Sequence, residues 1–127
     1  MSKIVIDTKN APGAIGPYSQ GMIVGNLVYT SSQLPIDMAT GELVQDVKLA
    51  TKASLDNVKA ILEEAGTSMD KIFKTTVFVK DLNDFNAVNE VYATYFESNP
   101  PARSCVQVAK LPKDAVVEIE AIAVLEK

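Results

Sequence analysis

Ile72-Phe73-Lys74-Thr75-Thr76-Val77-Phe78-Val79 is a run of eight residues of which all but one are β-branched or aromatic. Such a composition favours a β-strand. The segment before this run is predicted to be a helix, because apolar residues recur at helical spacing over residues 46–65. Gly66 suits the position that follows a helix end. The chain is therefore predicted to enter the strand from a helix.

A second helix is predicted after the strand. Asp81 or Asn83 can cap it, and an apolar stripe continues to about Phe96, before Asn99-Pro100-Pro101 ends the pattern. Further short strands that are rich in apolar residues are predicted at residues 4–6, 21–24, 27–31, 102–108 and 116–125.

The predicted order of elements is β-β-β-α-β-α-β-β within a single domain spanning residues 1–127. Two helices cannot cover both faces of a mixed sheet of about six strands, so we expect a two-layer α+β domain with both helices on one face. The uncovered face also carries apolar side chains. We therefore expect this face to pack against other subunits, which makes the protein an oligomer.

The composition limits the possible chemistry. The chain has 127 residues, a net charge of −4 and no histidine. The missing histidine excludes Ser-His-Asp and Cys-His catalysis and removes the commonest zinc ligand. The acidic balance without a Lys/Arg run argues against nucleic-acid binding. With one cysteine, no apolar signal segment and no run of membrane-spanning length, a cytoplasmic location is predicted.

The strand at residues 102–108 contains the best candidate for binding a carboxylate. Side chains alternate between the two faces of a strand, so Arg103 and Cys105 share one face. Val106 and Val108 lie on the other face, which we expect to be the helix-covered core. A lone strand arginine is usually a surface residue, but a guanidinium at a cleft edge can bind a planar carboxylate with two hydrogen bonds.

The last strand carries two carboxylates on one face, Glu118 and Glu120. An exposed acidic stripe is the commonest meaning of such spacing. The functional interpretation is that one carboxylate is partly buried opposite Arg103. In such a place it could orient or deprotonate a water molecule, because desolvation raises the pKa of a carboxyl group.

Other polar residues are candidates for lining the same cleft. Loop tyrosines, strand-end serines, helix asparagines and single cysteines are most often structural, but backbone N–H groups at a strand end can also bind a carboxylate oxygen. The candidates are Tyr18, Ser31, Ser32, Asn89 and Cys105.

Several segments carry a resemblance to a known family. They are residues 14–21, 54–60 and 74–82, together with Pro-Ala-Arg-Ser-Cys-Val-Gln-Val-Ala-Lys-Leu-Pro at 101–112 and Val-Glu-Ile-Glu at 117–120. Along nearly its whole length the chain resembles the Rid (reactive intermediate deaminase, YjgF-type) family, and most of all its archetypal deaminase subgroup. That resemblance implies hydrolysis of reactive enamines and imines to 2-oxo acids and ammonia, which protects pyridoxal-phosphate enzymes. The implied substrates are 2-aminoacrylate and 2-aminocrotonate with its tautomer 2-iminobutanoate.

The resemblance also implies an architecture and a site. It implies a chorismate-mutase-like fold and a homotrimer whose sheets form a central β-barrel, with an active site in each cleft between subunits. It implies that Arg103 holds the substrate carboxylate and Glu118 handles the attacking water, with no metal or organic cofactor. The residues implied to line the cleft are Tyr18, Ser31, Asn89 and Cys105.

One position departs from the family pattern. The family commonly has Ser-Gly-Gln where this chain has Ser31-Ser32-Gln33. In the family the glycine N–H is a carboxylate contact. Serine keeps that N–H group but adds a side chain and restricts φ. Ser32 is therefore expected to affect how the substrate binds and which substrate size is preferred.

Two other functions are compatible with the sequence. The first is a non-catalytic regulatory module that binds a small carboxylate in the same cleft. The second is a ribonuclease or translation inhibitor, an activity attributed to some family members, against which the acidic balance argues.

Overall fold

The computed structural model describes residues 2–126 of the chain. Across these residues there are six β-strands and two α-helices, in the predicted order. The strands are β1 (Lys3–Ile6), β2 (Gly21–Val24), β3 (Leu27–Thr30), β4 (Ile72–Val79), β5 (Ala102–Gln107) and β6 (Val117–Val124). The helices are α1 (Val47–Ala65) and α2 (Phe85–Tyr95), and short 3-10 turns lie at Met69–Lys71, Leu82–Asp84 and Pro112–Asp114.

The strands of the described chain form one mixed sheet in the order β1-β2-β3-β6-β4-β5. Neighbouring strands are antiparallel except for β4 and β5, which are parallel. The parallel pair follows from the connection, since a helix between two strands allows the chain to cross back and run in the same direction. The last strand enters between β3 and β4, so β5 becomes an edge of the sheet. The predicted mixed sheet is confirmed.

Both helices pack on the same face of the sheet, as predicted. Leu55, Val58, Ile61 and Leu62 of α1 are fully buried, because they form one side of the helix and meet the sheet there. Helix α2 lies beside α1 and reaches the sheet through Tyr92, whose hydroxyl is 2.7 Å from Oγ1 of the buried Thr75 on β4. The core thus fills one layer between sheet and helices.

The ends of α1 follow from the sequence. The Asp46 carboxylate accepts a hydrogen bond from the Leu49 N–H at 3.0 Å, which satisfies a free backbone donor of the first turn. At the other end Gly66 has φ 93°, in the left-handed region that a glycine adopts without a steric penalty. This helix has the predicted limits to within one residue.

The start of α2 differs from the prediction. The Asp81 carboxylate accepts a hydrogen bond from the Asn83 N–H at 2.9 Å, but this contact caps the 3-10 turn Leu82–Asp84. The α-helix begins only at Phe85. Cap residues mark where a turn starts, and they do not distinguish a tight 3-10 turn from the α-helix that follows it.

The uncovered face of the sheet presents apolar side chains. Val5 is 59% exposed, while Tyr29 and Val106 are each 42% exposed. The prediction that Val106 faces the helix-covered core is therefore wrong. Val106 of β5 pairs with Phe78 of β4, and both lie on the face that no helix covers. Val108 lies beyond the end of β5 and is half-buried.

Within residues 2–126, neither helix combines the length and the apolar character that crossing a bilayer requires.

Candidate active site

Arg103 lies on the helix-covered face of β5, at the edge of the sheet. Its Cα pairs with that of Thr75, which is buried beneath α2. An Nη1 donor of the guanidinium makes a 2.8 Å hydrogen bond to Asn89 Oδ1. The guanidinium carbon lies 4.8 Å from the ring centre of Tyr92 and 5.4 Å from that of Phe85. Helix α2 therefore fixes the orientation of this arginine, and the sequence analysis had not included the two aromatic residues.

The held guanidinium is free to bind an anion. Arginine has five N–H donors in a planar arrangement, and the contact with Asn89 uses one of the two Nη groups. Arg103 also lines an open cavity of about 400 Å³ with Pro100 and Pro101. The cation–π contacts leave the edge of the guanidinium plane available, which is the edge that a carboxylate contacts.

Cys105 shares the face of Arg103, as predicted, and is half-buried. Burial raises the pKa of the Cys105 thiol above its ordinary value, although the nearby Arg103 charge acts in the opposite direction. The thiol is therefore protonated at neutral pH and is a poor nucleophile. Cys105 can line a binding site beside the arginine, but its environment does not activate it.

Glu118 lies on the other face of the sheet. Its neighbours in β6, Val117 and Ile119, point into the core, so Glu118 and Glu120 point to the uncovered face. Glu118 is half-buried, and this burial raises the pKa of its carboxyl group above the ordinary value; the charge of Glu120 raises it further. A carboxyl group in this state can exchange a proton with a water molecule.

Glu118 faces a cavity of about 250 Å³ that contains two of the other predicted residues, Tyr18 and Ser32. Tyr18 belongs to the loop between β1 and β2 and is half-exposed, and Lys113 also lines the cavity. Ser31 does not line this cavity. Its hydroxyl donates a hydrogen bond to the Ser19 carbonyl at 2.7 Å, which ties the end of β3 to the loop.

A residue missed by the sequence analysis shapes this loop. The buried Gln20 side chain donates hydrogen bonds to the carbonyls of Thr8, Ala11 and Pro12, and its Oε1 accepts one from the Thr8 N–H at 2.7 Å. Together these bonds hold the loop that positions Tyr18. The available signal was a glutamine next to a Pro- and Gly-rich loop, since such a loop has many backbone groups without partners in regular structure.

The candidate residues thus form two separate groups in one chain. Arg103, Asn89 and Cys105 lie together on the helix side, while Glu118 lies with Tyr18 on the uncovered side. Strand β4 separates the two groups, because β5 and β6 flank it. The predicted carboxylate opposite Arg103 is therefore not found within a single chain. We call the first group the arginine half-site and the second the glutamate half-site.

The sequence profile of the family described as Endoribonuclease L-PSP matches residues 8–125, which include every residue of both half-sites. The chain belongs to this family, the Rid (YjgF) family.

Curated Rid-family relatives are similar over nearly the full length of both chains. A protein named 2-iminobutanoate/2-iminopropanoate deaminase from Escherichia coli K12 is 59% identical over 127 residues, covering 98% of each chain. A RutC family protein from Pyrococcus abyssi is 54% identical over 127 residues, covering 99% of this chain and all of the relative.

Solved structures of Rid-family proteins have the same fold. The E. coli YjgF gene product superposes with a TM-score of 0.93 at 55% identity, covering 97% of this chain and 99% of the other. E. coli TdcF, crystallised with bound serine, superposes with a TM-score of 0.93 at 53% identity over the same shares of the two chains. The Rid-type α+β fold predicted from the sequence is confirmed.

Proposed function

We propose that this protein is a 2-iminobutanoate/2-iminopropanoate deaminase, which hydrolyses reactive imines to 2-oxo acids and ammonia. The activity of close relatives that bear this name supports the proposal. The observation that carries it in this chain is Arg103, a guanidinium held by Asn89 and two aromatic rings with donors free for a substrate carboxylate. A small carboxylate ligand is also in keeping with the serine bound by TdcF.

The assembly proposed here is a homotrimer in which the uncovered sheet faces pack around a common axis. Support comes from the exposed apolar residues Val5, Tyr29 and Val106 on that face. Apolar side chains exposed together on one face are typical of a surface that packs against another protein chain. In this arrangement the arginine half-site of one chain meets the glutamate half-site of its neighbour. Each cleft between subunits is then a complete site.

The proposed reaction uses two side chains, Arg103 and Glu118, and one water molecule. Arg103 binds the substrate carboxylate and so places the protonated imine carbon near Glu118. Glu118 takes a proton from water while the oxygen of that water bonds to the imine carbon. Glu118 then returns that proton to the nitrogen. As the C–N bond breaks, the hydroxyl oxygen forms the carbonyl of the 2-oxo acid, and Glu118 passes the hydroxyl proton to the departing ammonia, which leaves as ammonium. Atoms and charges balance without a redox partner.

The other residues have supporting roles in this proposal. Asn89 orients the guanidinium, Tyr18 and the Ser32 N–H line the substrate cleft, and Ser31 anchors the loop that carries Tyr18. Cys105 contributes a neutral wall beside the arginine. The reaction is proposed to take place in the cytoplasm, where the pyridoxal-phosphate dehydratases that release such imines act.

A coupled assay tests the proposal. A serine/threonine dehydratase is supplied with its substrate, and the rate of 2-oxo acid formation is followed with and without this protein. We expect acceleration by the wild type and by Lys59→Ala, which removes a positive charge from the exposed side of α1. We expect little acceleration by Arg103→Ala. Equal rates with wild type and Arg103→Ala would refute the assigned role of Arg103.

Two further measurements separate the alternatives. If wild-type protein binds 2-oxobutanoate in an equilibrium titration but accelerates nothing, it is a regulatory binding module and the enzymatic proposal fails. Incubation with RNA tests the ribonuclease activity named in the family description. We expect no cleavage by protein purified to constant specific activity in the deaminase assay.

A further inference from the structure

The position where this chain departs from the family pattern makes a contact of its own. The Ser32 hydroxyl donates a hydrogen bond to the Glu120 Oε1 at 3.0 Å, and both residues are half-buried. Among residues 2–126, Ser32 is the one residue whose side chain forms a hydrogen bond with the Glu120 carboxylate. A glycine at position 32 would leave that carboxylate without this partner.

The backbone on both sides of this contact is held in place. The Gln33 N–H donates to the Ile119 carbonyl at 2.7 Å, and the Ile119 N–H donates to the Gln33 carbonyl at 3.3 Å. This pair of bonds fixes Ser32 against the segment of β6 between its two glutamates. The φ angle of Ser32 is not positive, so the backbone at this position accepts a side chain without strain.

Ser32 and Glu118 line the same cavity, and Glu118 and Glu120 lie two residues apart on one face of β6. We propose that Ser32 is a positioning residue of the site, whose hydroxyl holds the Glu120 carboxylate beside Glu118. Ser32 thereby sets the electrostatic environment of the carboxyl group that handles water. The raised pKa of Glu118, to which the Glu120 charge contributes, agrees with this arrangement.

Other charged groups around Glu118 are few in the described part of the chain. Lys113 and the Tyr18 hydroxyl come from the loops that line the cavity. On β4, Phe78 lies opposite Glu118 and Thr76 opposite Glu120. Further along the same face Lys74 donates to the Ser104 hydroxyl at 3.2 Å. Glu120 is therefore the anionic neighbour whose placement affects Glu118, and Ser32 is the group that fixes it.

The first measurement is a titration of the Glu118 carboxyl group by carbon-detected NMR, which requires no activity. Without the Ser32 hydroxyl, repulsion turns the Glu120 carboxylate away from Glu118. The pKa of Glu118 should therefore fall by about half a unit in Ser32→Ala, as expected for one charge moved by several ångströms near a protein surface. Ser32→Thr keeps a hydroxyl and should titrate like the wild type.

The second measurement is a double-mutant cycle with Glu120→Gln, which removes the charge through which Ser32 is proposed to act. In the Glu120→Gln background Ser32→Ala should cause no further shift. A shift of the same size in both backgrounds would overturn the proposal, as would equal titration of wild type and Ser32→Ala or a Ser32→Thr variant that behaves like Ser32→Ala.

The inference about catalysis rests on the proposed function, and the two can fail separately. In the deaminase assay the acidic limb of the pH–rate profile should move to lower pH in Ser32→Ala, together with the NMR titration. If wild-type protein has no deaminase activity, the proposed function fails while the NMR result still decides the role of Ser32. If the protein is active and neither the NMR titration nor the pH profile moves, Ser32 has no positioning role. A shift in the titration alone would show that Glu118 is not the group that sets the acidic limb.

Discussion

At the scale of single residues, the proposed function depends on two side chains with opposite requirements. Arg103 must stay charged and keep its donors in one plane, and stacking against Tyr92 and Phe85 achieves this without using those donors. Glu118 must exchange a proton, and partial burial shifts its pKa in the direction that makes this possible. The two environments are built on different faces of the same sheet.

The planar shape of the guanidinium gives a prediction for Arg103→Lys. Lysine keeps the charge but loses the paired donors, the hydrogen-bond geometry to Asn89 and most of the stacking. We expect kcat/KM to fall by about 10- to 100-fold, as for the loss of a charged hydrogen bond worth about 1.5–3 kcal/mol. Steady-state kinetics in the coupled assay measure this ratio. Unchanged kcat/KM would show that charge alone is sufficient at this position.

Glu118 gives a prediction that links pH to both activity and stability. Its pKa is raised in the folded state, so the folded protein favours the protonated form and loses stability as pH rises through that pKa. At pH 7 the Tm of Glu118→Gln should therefore exceed that of the wild type by on the order of 1–2 °C. Near pH 3 the two Tm values should be equal, because the wild-type carboxyl group is protonated in both the folded and the unfolded state. The variant should also be inactive. Calorimetry at the two pH values tests the sign, and a lower Tm at pH 7 would contradict it.

At the scale of elements, the loop between β1 and β2 depends on one buried amide. Gln20→Ala removes four hydrogen bonds and leaves carbonyl groups of Thr8, Ala11 and Pro12 without that partner. We expect a loss of about 2–4 kcal/mol in the free energy of unfolding, since each buried group left unpaired costs about 1–3 kcal/mol. Denaturant titration measures the loss.

The matched control for this loop is Gln107→Ala. Gln107 is exposed, and its side chain accepts one hydrogen bond, from the Leu82 N–H at 2.9 Å. Its replacement should cost well under half as much as the replacement of Gln20. Deaminase activity should also fall in Gln20→Ala, because the loop no longer positions Tyr18. Equal stability of the two variants would show that the loop is held by other contacts.

The elements were predictable because their signals are local. Helical spacing located α1, Gly66 marked its end and has φ 93° in the structure, and alternation located the strands. The face of Arg103 was not predictable. Alternation shows which residues of β5 share a face, but both of its faces carry apolar atoms. Only the parallel pairing with β4 decides that Arg103 lies with Thr75 under α2. Strand pairing depends on distant parts of the chain, which no local pattern encodes.

At the scale of the whole molecule, the two half-sites explain why part of the site followed from the sequence and part did not. The residue types and the family resemblance identified Arg103 and Glu118 together. A single folded chain keeps them apart on opposite faces of the sheet. In the proposed trimer the two residues meet through contacts between chains, and a sequence indicates only that one face has unburied apolar residues.

Mixing two inactive variants tests whether the sites are shared. Arg103→Ala lacks the arginine half-site and Glu118→Gln lacks the glutamate half-site. After the two are unfolded, mixed equally and refolded together, about a quarter of the clefts in randomly assembled trimers should contain both intact halves. Activity should therefore return to about a quarter of the wild-type value. Variants refolded alone are the control, and a mixture as inactive as its components would exclude a site shared between chains.

The separation of the half-sites has a consequence for how such genes can diverge. After a duplication, one copy can lose its arginine and the other its glutamate while the co-expressed pair keeps a working enzyme, provided that the sites form between chains as proposed. A genome carrying two such paralogues would then depend on both, although each sequence alone lacks a catalytic group. A missing Arg103 or Glu118 counterpart in one gene product is therefore no evidence that the pathway step is absent from that organism.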